Sequence, residues 1–533
     1  MADVQGRAPR ALLEEIQEEG GRGEISRERI GELARQHRTT PGAVQSLYTF
    51  YFPRGPEKGA QLCNGLPCTM RGAHAAKRHL ETSGGEYDTV SCLGYCARAP
   101  VLRKDGSYYS LGLDGLQEIE ESQRGFVEAH AQRLADYRSE GGYAALLRFL
   151  EESDRRFLLD VLANVSLRGM GGAGFAVDQK WKAVLAGAGP ERYLVVNGHE
   201  GEPGTFKDRL ILEREPHRLL EGALIAALTV GAQTAVIALR SEYANARAML
   251  EESLAELESF EEETGTKGSL PRVTLMSLGG SYVTGEETAL LEAVEGKRSE
   301  PRLRPPFPAE VGLYGRPTLV QNVETLTLIP GLLAAHYGGA APEGIRKYYC
   351  LTGDVPDPGA YRERLGIRLD ALLEDDAGSS VAELKAFLPG GLSSGLLPAS
   401  KADLSLDFDL AKKHGCGLGT GAVIAIGRNR CIVPVLQTIS GFFESESCGK
   451  CVPCRLGTAK LAALMDSLQE GKASEADLEE GVALVRLMQE TSICALGQVA
   501  GKSFLDAMKH LRDEMVAHAR GECPAHTCFD GGE

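Results

Sequence analysis

The chain has 533 residues, 43% hydrophobic and 25% charged, which is the balance of a globular protein of several domains and excludes a disordered or fibrous one. A formal net charge of −16 argues against a nucleic-acid-binding surface, because a phosphate backbone would be repelled. The N-terminal MADVQGRAPRALLEEIQEEG lacks an apolar core and carries acids early, so no export signal and a cytoplasmic location are expected.

In chain order, acidic helix-like segments with breaks occupy residues from about 10 to 52, and a cysteine-bearing region follows to about residue 115. Two helical patterns, GGYAALLRFLEE and SDRRFLLDVLANV, then lead into a glycine loop, SLRGMGGAGFAVDQKW, at residues 166–181. Beyond Arg192, β-rich runs (193–197, 235–239, 273–277) alternate with helical ones (about 210–228 and 242–263), the pattern of an open parallel sheet. The apolar run 223–239 is interrupted by Gly231 and Gln233 and is shorter than the ~20 residues of a membrane-spanning helix. It reads as a buried helix, a turn at Gly231 and a core strand. The proline-rich PRLRPPFPAEVGLYGRPT crosses the surface, residues from about 347 to 430 form a small β-rich domain, and the chain after Leu436 is helical.

Thirteen cysteines without an export signal point to metal rather than to disulfides. ESCGKCVPCRLGT sets Cys448, Cys451 and Cys454 at C-x2-C-x2-C, and Cys494 follows in TSICALGQ. Three thiolates within seven residues wrap one face of a cubane and a distant fourth closes it, the pattern of a [4Fe–4S] cluster. A four-cysteine zinc site, which draws on two separate C-x2-C pairs, fits less well. Upstream, Cys63 and Cys68 form C-x4-C, and Cys92 and Cys96 form C-x3-C. Two pairs suit a [2Fe–2S] rhomb, one pair for each iron, with zinc as the alternative. Cys350, Cys416 and Cys431 lie in apolar contexts and read as buried packing. Cys523 and Cys528, in GECPAHTCFD, read as incidental thiols of a tail, with a metal pair joined by His526 as the alternative.

The glycines Gly169, Gly171 and Gly174 satisfy G-x-G-x-x-G, yet the stretch before them reads as helix where a dinucleotide fingerprint needs a strand. What remains is a turn that brings backbone N–H groups to an anion, with Lys180 adding positive charge. NGHEGEPGTFKDR places Glu200 and Glu202 just past a strand's carboxyl end, GGSYVTGEETALLEA supplies Glu286 and Glu287, and LVQNVETL offers Gln321 and Asn322. Together they describe a crevice with one phosphate cradle and a ring of acceptors.

RGMGGAGF…KW, VNGHEGEPGTFKDR, YVTGEETALLEAVEGKRSEPRLRPPFPAEVGLYGRPTLVQNVETL, ESCGKCVPCR and SICALG occur in the order found in the NADH-binding flavoprotein subunit of respiratory complex I, which this chain resembles from about residue 10 to 500. The upstream cysteine pairs resemble that complex's thioredoxin-like [2Fe–2S] subunit. The two are fused here, as in the diaphorase subunits of soluble formate dehydrogenases and NAD-reducing hydrogenases. LPGGLSSGLLPASKADLSLDF is most similar to the beta subunit of molybdenum- or tungsten-dependent formate dehydrogenases.

The resemblance implies an α/β multidomain chain. Its parts would be a thioredoxin-like [2Fe–2S] domain with N-terminal helices (1–130), a Rossmann-like FMN- and NADH-binding domain (131–345), a β-grasp-like domain of the soluble-ligand-binding type (346–435) and a helical [4Fe–4S] bundle with a tail (436–533). It also implies that FMN is held by Gly169, Gly171, Gly172, Lys180, Asn197, Glu200, Gln321, Asn322 and Thr325, and NADH by Phe175, Glu202, Glu286, Glu287 and Phe307. The expected activity is hydride exchange between NAD(H) and FMN without an acid–base residue, followed by single-electron transfer through the clusters. No molybdopterin or nickel motif is recognisable, so the implied partner is a larger metallo-subunit. The resemblance points to that of a formate dehydrogenase, with the [NiFe] hydrogenase subunits as the alternative, in a hetero-oligomer without a membrane span. A non-flavin iron–sulfur relay scaffold would lack the glycine loop and acid ring, and both are present. Three departures from the family pattern stand out: Met170 for Arg, Gln321 for the first of two Asn, and His199 for Asp. His199 would either titrate near neutrality beside the flavin or be a tolerated exchange.

Overall fold

The computed structural model describes residues 11–13, 15–16, 19, 25–51, 60–82, 84, 86–112, 115–119, 132–340 and 343–529. These fall into two compact units, one drawn from residues 1–57, 128–201 and 207–345, the other from 58–127, 202–206 and 346–533. The consecutive domains expected from the sequence are thus regrouped at two places. Helices Arg27–Gln36 and Pro41–Tyr51 belong with the α/β part, where Tyr51 Oη donates to Lys297 O at 2.8 Å and the Arg298 guanidinium lies 4.8 Å from the Phe50 ring. Residues 202–206 belong with the second unit.

The first unit is built on four parallel strands in the spatial order Arg272–Leu278, Thr234–Arg240, Tyr193–Gly198, Thr318–Asn322. The β-branched and aliphatic runs are buried on both faces, as a sheet covered by helices on each side requires. Val195, Val236, Ala238 and Met276 pack with Leu290, Leu291 and Val294 of helix Glu287–Val294. Leu194, Val196, Ala235, Ile237 and Leu239 are also fully buried. The ambiguous apolar run resolves as expected. Helix Pro216–Val230 opens on a proline, whose missing N–H costs nothing there, and stops at Gly231 with φ 71°. Strand Thr234–Arg240 follows. The helical stretch expected over 210–228 is two helices, because Pro216 cannot donate to the preceding turn and separates Lys207–Arg214 from Pro216–Val230. Strand Thr318–Asn322 is not among the runs expected from sequence, because only Leu319 and Val320 of TLVQN are aliphatic and the run ends in Gln321 and Asn322.

The second unit holds two sheets and a helical bundle. Its first sheet runs Tyr87–Val90, Ala60–Cys63, Val101–Lys104, Ser107–Gly112, Gly115–Glu118, parallel at the first pair and antiparallel thereafter, with helices Leu66–Met70 and Ala73–Thr82. The second is a mixed sheet in the order Gly359–Arg364, Arg346–Gly353, Ala422–Gly427, Leu384–Leu388, Leu397–Pro398. Helices Ile432–Ser445, Val452–Gln469, Glu475–Thr491, Ala495–Val499, Lys502–His510 and Arg512–Ala519 follow the second sheet. Among the described residues no helix is long and apolar enough to cross a membrane.

Candidate functional site

In the parallel sheet the chain runs outward from Tyr193–Gly198 through two strands, then returns to its other side as Thr318–Asn322. The crevice past the carboxyl ends of those two strands is a topological switch point, where open α/β sheets bind ligands. Register pairs Val196 with Gln321 and Asn197 with Asn322, so the polar residues named from sequence meet at that point.

The glycine loop is fastened over the same place. It joins helix Phe157–Asn164 to helix Val177–Ala186, so it is not the strand-to-helix turn of a dinucleotide fingerprint. Gly169 N donates to Phe175 O at 2.9 Å, and Met170 N donates to Thr325 Oγ1 at 2.9 Å. Trp181 Nε1 donates to Gln321 Oε1 at 3.4 Å. A Cβ on Gly171 would meet Asn322 Cβ at 2.9 Å, and Gly172 has φ 125°, a conformation L side chains avoid. The backbone therefore approaches the switch point more closely than any side chain would permit. A phosphate cradled by amides needs that approach, so these residues fit the phosphate end of FMN.

The acids of the crevice have distinct tasks. Glu286 is the N-cap of helix Glu287–Val294 and accepts from Thr288 N and Ala289 N at 2.9 and 3.0 Å. Glu287 binds Lys180 Nζ at 2.7 Å and Arg304 at 3.1 Å. Burial raises its carboxyl, but Lys180 and then Arg304 hold it below the usual range. This chain of ion pairs ties the helix after the glycine loop to the segment bearing Phe307. Phe175 and Phe307 are 59% and 51% exposed, leaving two open aromatic faces for a planar ring. Glu202 lies in the second unit, buried, where its Oε1 accepts from Ser393 N at 2.9 Å.

Lys180→Met is expected to weaken FMN retention ten- to hundredfold, about 1.5–3 kcal/mol for a lost charge-assisted contact. Arg304 still neutralises Glu287, so the fold should hold; flavin fluorescence released on dilution measures the loss.

Sequence reasoning missed a buried charge network behind the crevice. Lys207 Nζ sits 2.6 Å from Asp208 Oδ1 and 3.1 Å from Glu324 Oε2, and Asn322 Nδ2 donates to Asp208 Oδ2 at 2.7 Å. Glu200 accepts from Asp208 N and Arg209 N at 3.0 and 3.2 Å. Burial, then Asp208, pushes the Glu200 carboxyl up to about 7. His199 does not titrate near neutrality as one sequence reading had it. Burial, then Arg240, pushes it down to about 3, and both ring nitrogens are buried without a hydrogen-bond partner, so the imidazole stays neutral. The pH-sensitive group is Glu200. Its raised folded value means that its stabilising contribution is present below about 4.5 and lost as pH rises through about 7. Above that pH a buried anion opposes negative charge arriving in the crevice. NADH-driven flavin reduction is expected to slow as pH rises through about 7, to lose that inflection in Glu200→Gln, and to keep it in His199→Asn.

In the second unit Cys63 ends strand Ala60–Cys63 and pairs in register with Val90, two residues before Cys92. Cys68 lies in helix Leu66–Met70 and Cys96 in the turn Cys96–Arg98. All four thiols are buried; Cys92 Sγ lies 3.6 Å from Cys96 Sγ and accepts from Gly94 N at 3.4 Å. Cys68, Cys92 and then burial hold the Cys63 thiol well above its ordinary range. Four crowded, buried sulfurs with an amide donor fit a [2Fe–2S] centre. Cys451 is the N-cap of helix Val452–Gln469 and Cys454 lies in its first turn, while Cys494 is the N-cap of helix Ala495–Val499. A Cβ on Gly497 would meet Cys454 Cβ at 2.9 Å, so the Cys494 segment lies against the three-cysteine loop. Helix N-termini favour an anionic cluster, and this donor set fits [4Fe–4S].

Three family descriptions match: Nuo51 FMN-binding domain over residues 162–331, NADH-ubiquinone oxidoreductase-F iron-sulfur binding region over 434–518, and Thioredoxin-like [2Fe-2S] ferredoxin over 5–114. The second F-type NADH-quinone oxidoreductase subunit of Rhizobium meliloti (strain 1021) is 40% identical over 404 residues, 74% of this chain and 96% of that protein. The F-type NADH-quinone oxidoreductase subunit of Rickettsia rickettsii (strain Sheila Smith) is 36% identical over 417 residues, 75% of this chain and 99% of that protein. Among solved structures, a chain of NAD+-reducing [NiFe]-hydrogenase in the H2-reduced state superimposes with a TM-score of 0.81 at 28% identity, covering 95% of this chain and 92% of that one. The chain belongs to the family of F-type NADH-quinone oxidoreductase subunits, as an NADH-oxidising flavoprotein with FMN, [4Fe–4S] and [2Fe–2S] domains.

Proposed function

We propose that this chain is the diaphorase subunit of an NAD-linked, multisubunit hydrogenase of the nickel–iron type, passing electrons between NAD(H) and a separate metallo-subunit. The observation that carries the partner assignment is the 95% coverage of this chain by a chain of an NAD+-reducing [NiFe]-hydrogenase. That leaves too little over for the thioredoxin-like domain to lie outside the match. The quinone oxidoreductase relatives, by contrast, align with about three-quarters of the chain. The formate dehydrogenase partner expected from 388–408 has no support in these comparisons.

When bound, FMN and the clusters supply the conversion between a nicotinamide's hydride pair and single electrons. The chain supplies position and electrostatics. Gly171 and Gly172 present amides to the phosphate, Gly169 shapes the loop with its N–H held by Phe175 O, and Lys180 adds charge once it leaves Glu287. Asn197, Gln321, Asn322 and Thr325 line the crevice with hydrogen-bonding groups, and Glu200 presents a protonated carboxyl below about pH 7. Phe175 and Phe307 offer faces on which a nicotinamide can stack, and Glu286 and Glu287 hold their supports in place. The roles of Glu202 and of Cys63, Cys68, Cys92, Cys96, Cys448, Cys451, Cys454 and Cys494 follow the same reading: a support on Ser393, and eight cluster ligands.

The test is to purify the native assembly and analyse its metals and its large subunit. Nickel in stoichiometric amount is the expected result. Molybdenum or tungsten without nickel would overturn the hydrogenase partner while leaving the NADH chemistry intact.

A further inference from the structure

Three cysteines and a histidine that none of the roles above use converge in the second unit. Cys431 is the N-cap of helix Ile432–Ser445, His518 lies in the last turn of helix Arg512–Ala519, and Cys523 and Cys528 follow that helix. The three sulfurs and a ring nitrogen of His518 all lie within 4.8 Å of one another, and Cys431 Sγ is 3.1 Å from His518 Nε2. Cys431, His518 and Cys523 are buried and Cys528 is half-buried. The Phe529 ring centre lies 5.0 Å from that of His518, the two planes tilted by 49°. All four residues are distinct from the cluster cysteines, and the three cysteines fall outside the matched iron–sulfur region 434–518.

We propose that Cys431, His518, Cys523 and Cys528 form a mononuclear, structural zinc site. Three thiolates and one imidazole are a standard tetrahedral zinc donor set, with Zn–S near ~2.3 Å and Zn–N near ~2.0–2.1 Å. Such a tetrahedron has edges of roughly 3.5–3.8 Å, so the quartet closes on the ion with shifts of about 1 Å or less. A cubane holds its ligating sulfurs further apart, because four irons and four sulfides stand between them. Four protein ligands leave no open position, which makes the site structural rather than catalytic. His526, the histidine that the sequence offered as partner, stands outside the quartet.

The ion would fasten a joint that hydrogen bonds already mark. Glu514 accepts from Ile432 N at 2.8 Å and binds Lys385 at 2.8 Å, joining the last helix to the start of Ile432–Ser445. That helix leads directly into the Cys448 loop, so zinc at one end fixes the approach to the iron cluster at the other.

The test uses the full chain purified from zinc-replete cells. Elemental analysis is expected to find about one zinc per chain, and zinc-edge X-ray absorption three sulfurs and one nitrogen. Cys523→Ser/Cys528→Ser should lose at least tenfold of that zinc to a chelator, and His526→Ala should keep it. If the double variant does not fold, the wild-type spectrum decides alone. Wild-type protein without zinc, a coordination shell other than three sulfurs and one nitrogen, zinc retained by the double variant, or iron in place of zinc would each overturn the proposal.

Discussion

Cys494→Ser is expected to abolish NADH-driven reduction of one-electron acceptors while leaving the flavin content unchanged. Serine offers a hard oxygen where the iron cluster needs a soft thiolate. The position has little slack: Cys494 caps helix Ala495–Val499, and at Gly497 even one added Cβ would stand 2.7 Å from Ser492 Cβ and 2.9 Å from Cys454 Cβ. Two helix N-termini aim partial positive charge at the centre. The other three thiolates then face an incomplete cube, and iron analysis should show a loss of about four irons per chain. Parallel FMN analysis separates this outcome from a general failure to fold. A variant that retains its iron and its acceptor reduction would remove Cys494 from the cluster.

Gly222→Ala is expected to be the most damaging single methyl group in the first unit, although it touches no ligand. Helix Pro216–Val230 packs against helix Val323–Thr327 at this point, and a Cβ on Gly222 would stand 2.0 Å from Leu326 O. A backbone carbonyl cannot rotate away as a side chain can. The two helices must separate, at a cost of about 3 kcal/mol, the upper range for overpacking. The displaced helix carries Thr325, which holds the glycine loop through Met170 N, and is capped by Asn322. The variant should therefore release FMN at a lower temperature than wild type, whereas Gly331→Ala, where a Cβ meets nothing within 4 Å, should not.

What was legible in the sequence was what is local. The cluster cysteines declared themselves because three of them share seven residues and the others come in tight pairs. The strand, turn and helix around Gly231 followed from periodicity and one glycine. The switch point was not legible, since it depends on a five-residue strand pairing with one more than 120 residues upstream. The neutrality of His199 and the high carboxyl of Glu200 are products of burial, which a residue list does not contain. Glu286 reads from sequence either as a cap or as one of a ring of acceptors, and which of the two its carboxylate serves, here the start of helix Glu287–Val294, is set by the fold. The Cys431 quartet spans residues 431 to 528; the short Cys523/Cys528 spacing hints at a metal pair, but Cys431 and His518 reach it only through the fold.

The function proposed for this chain requires the switch-point crevice to seat FMN where NADH can reduce it. An anaerobic titration of the FMN-replete chain with NADH, followed by flavin absorbance, tests this most directly. The expected result is bleaching of the flavin in proportion to NADH added, and its failure at the same NADH in Lys180→Met depleted of flavin. A protein that binds FMN stoichiometrically and shows no bleaching with excess NADH would contradict it.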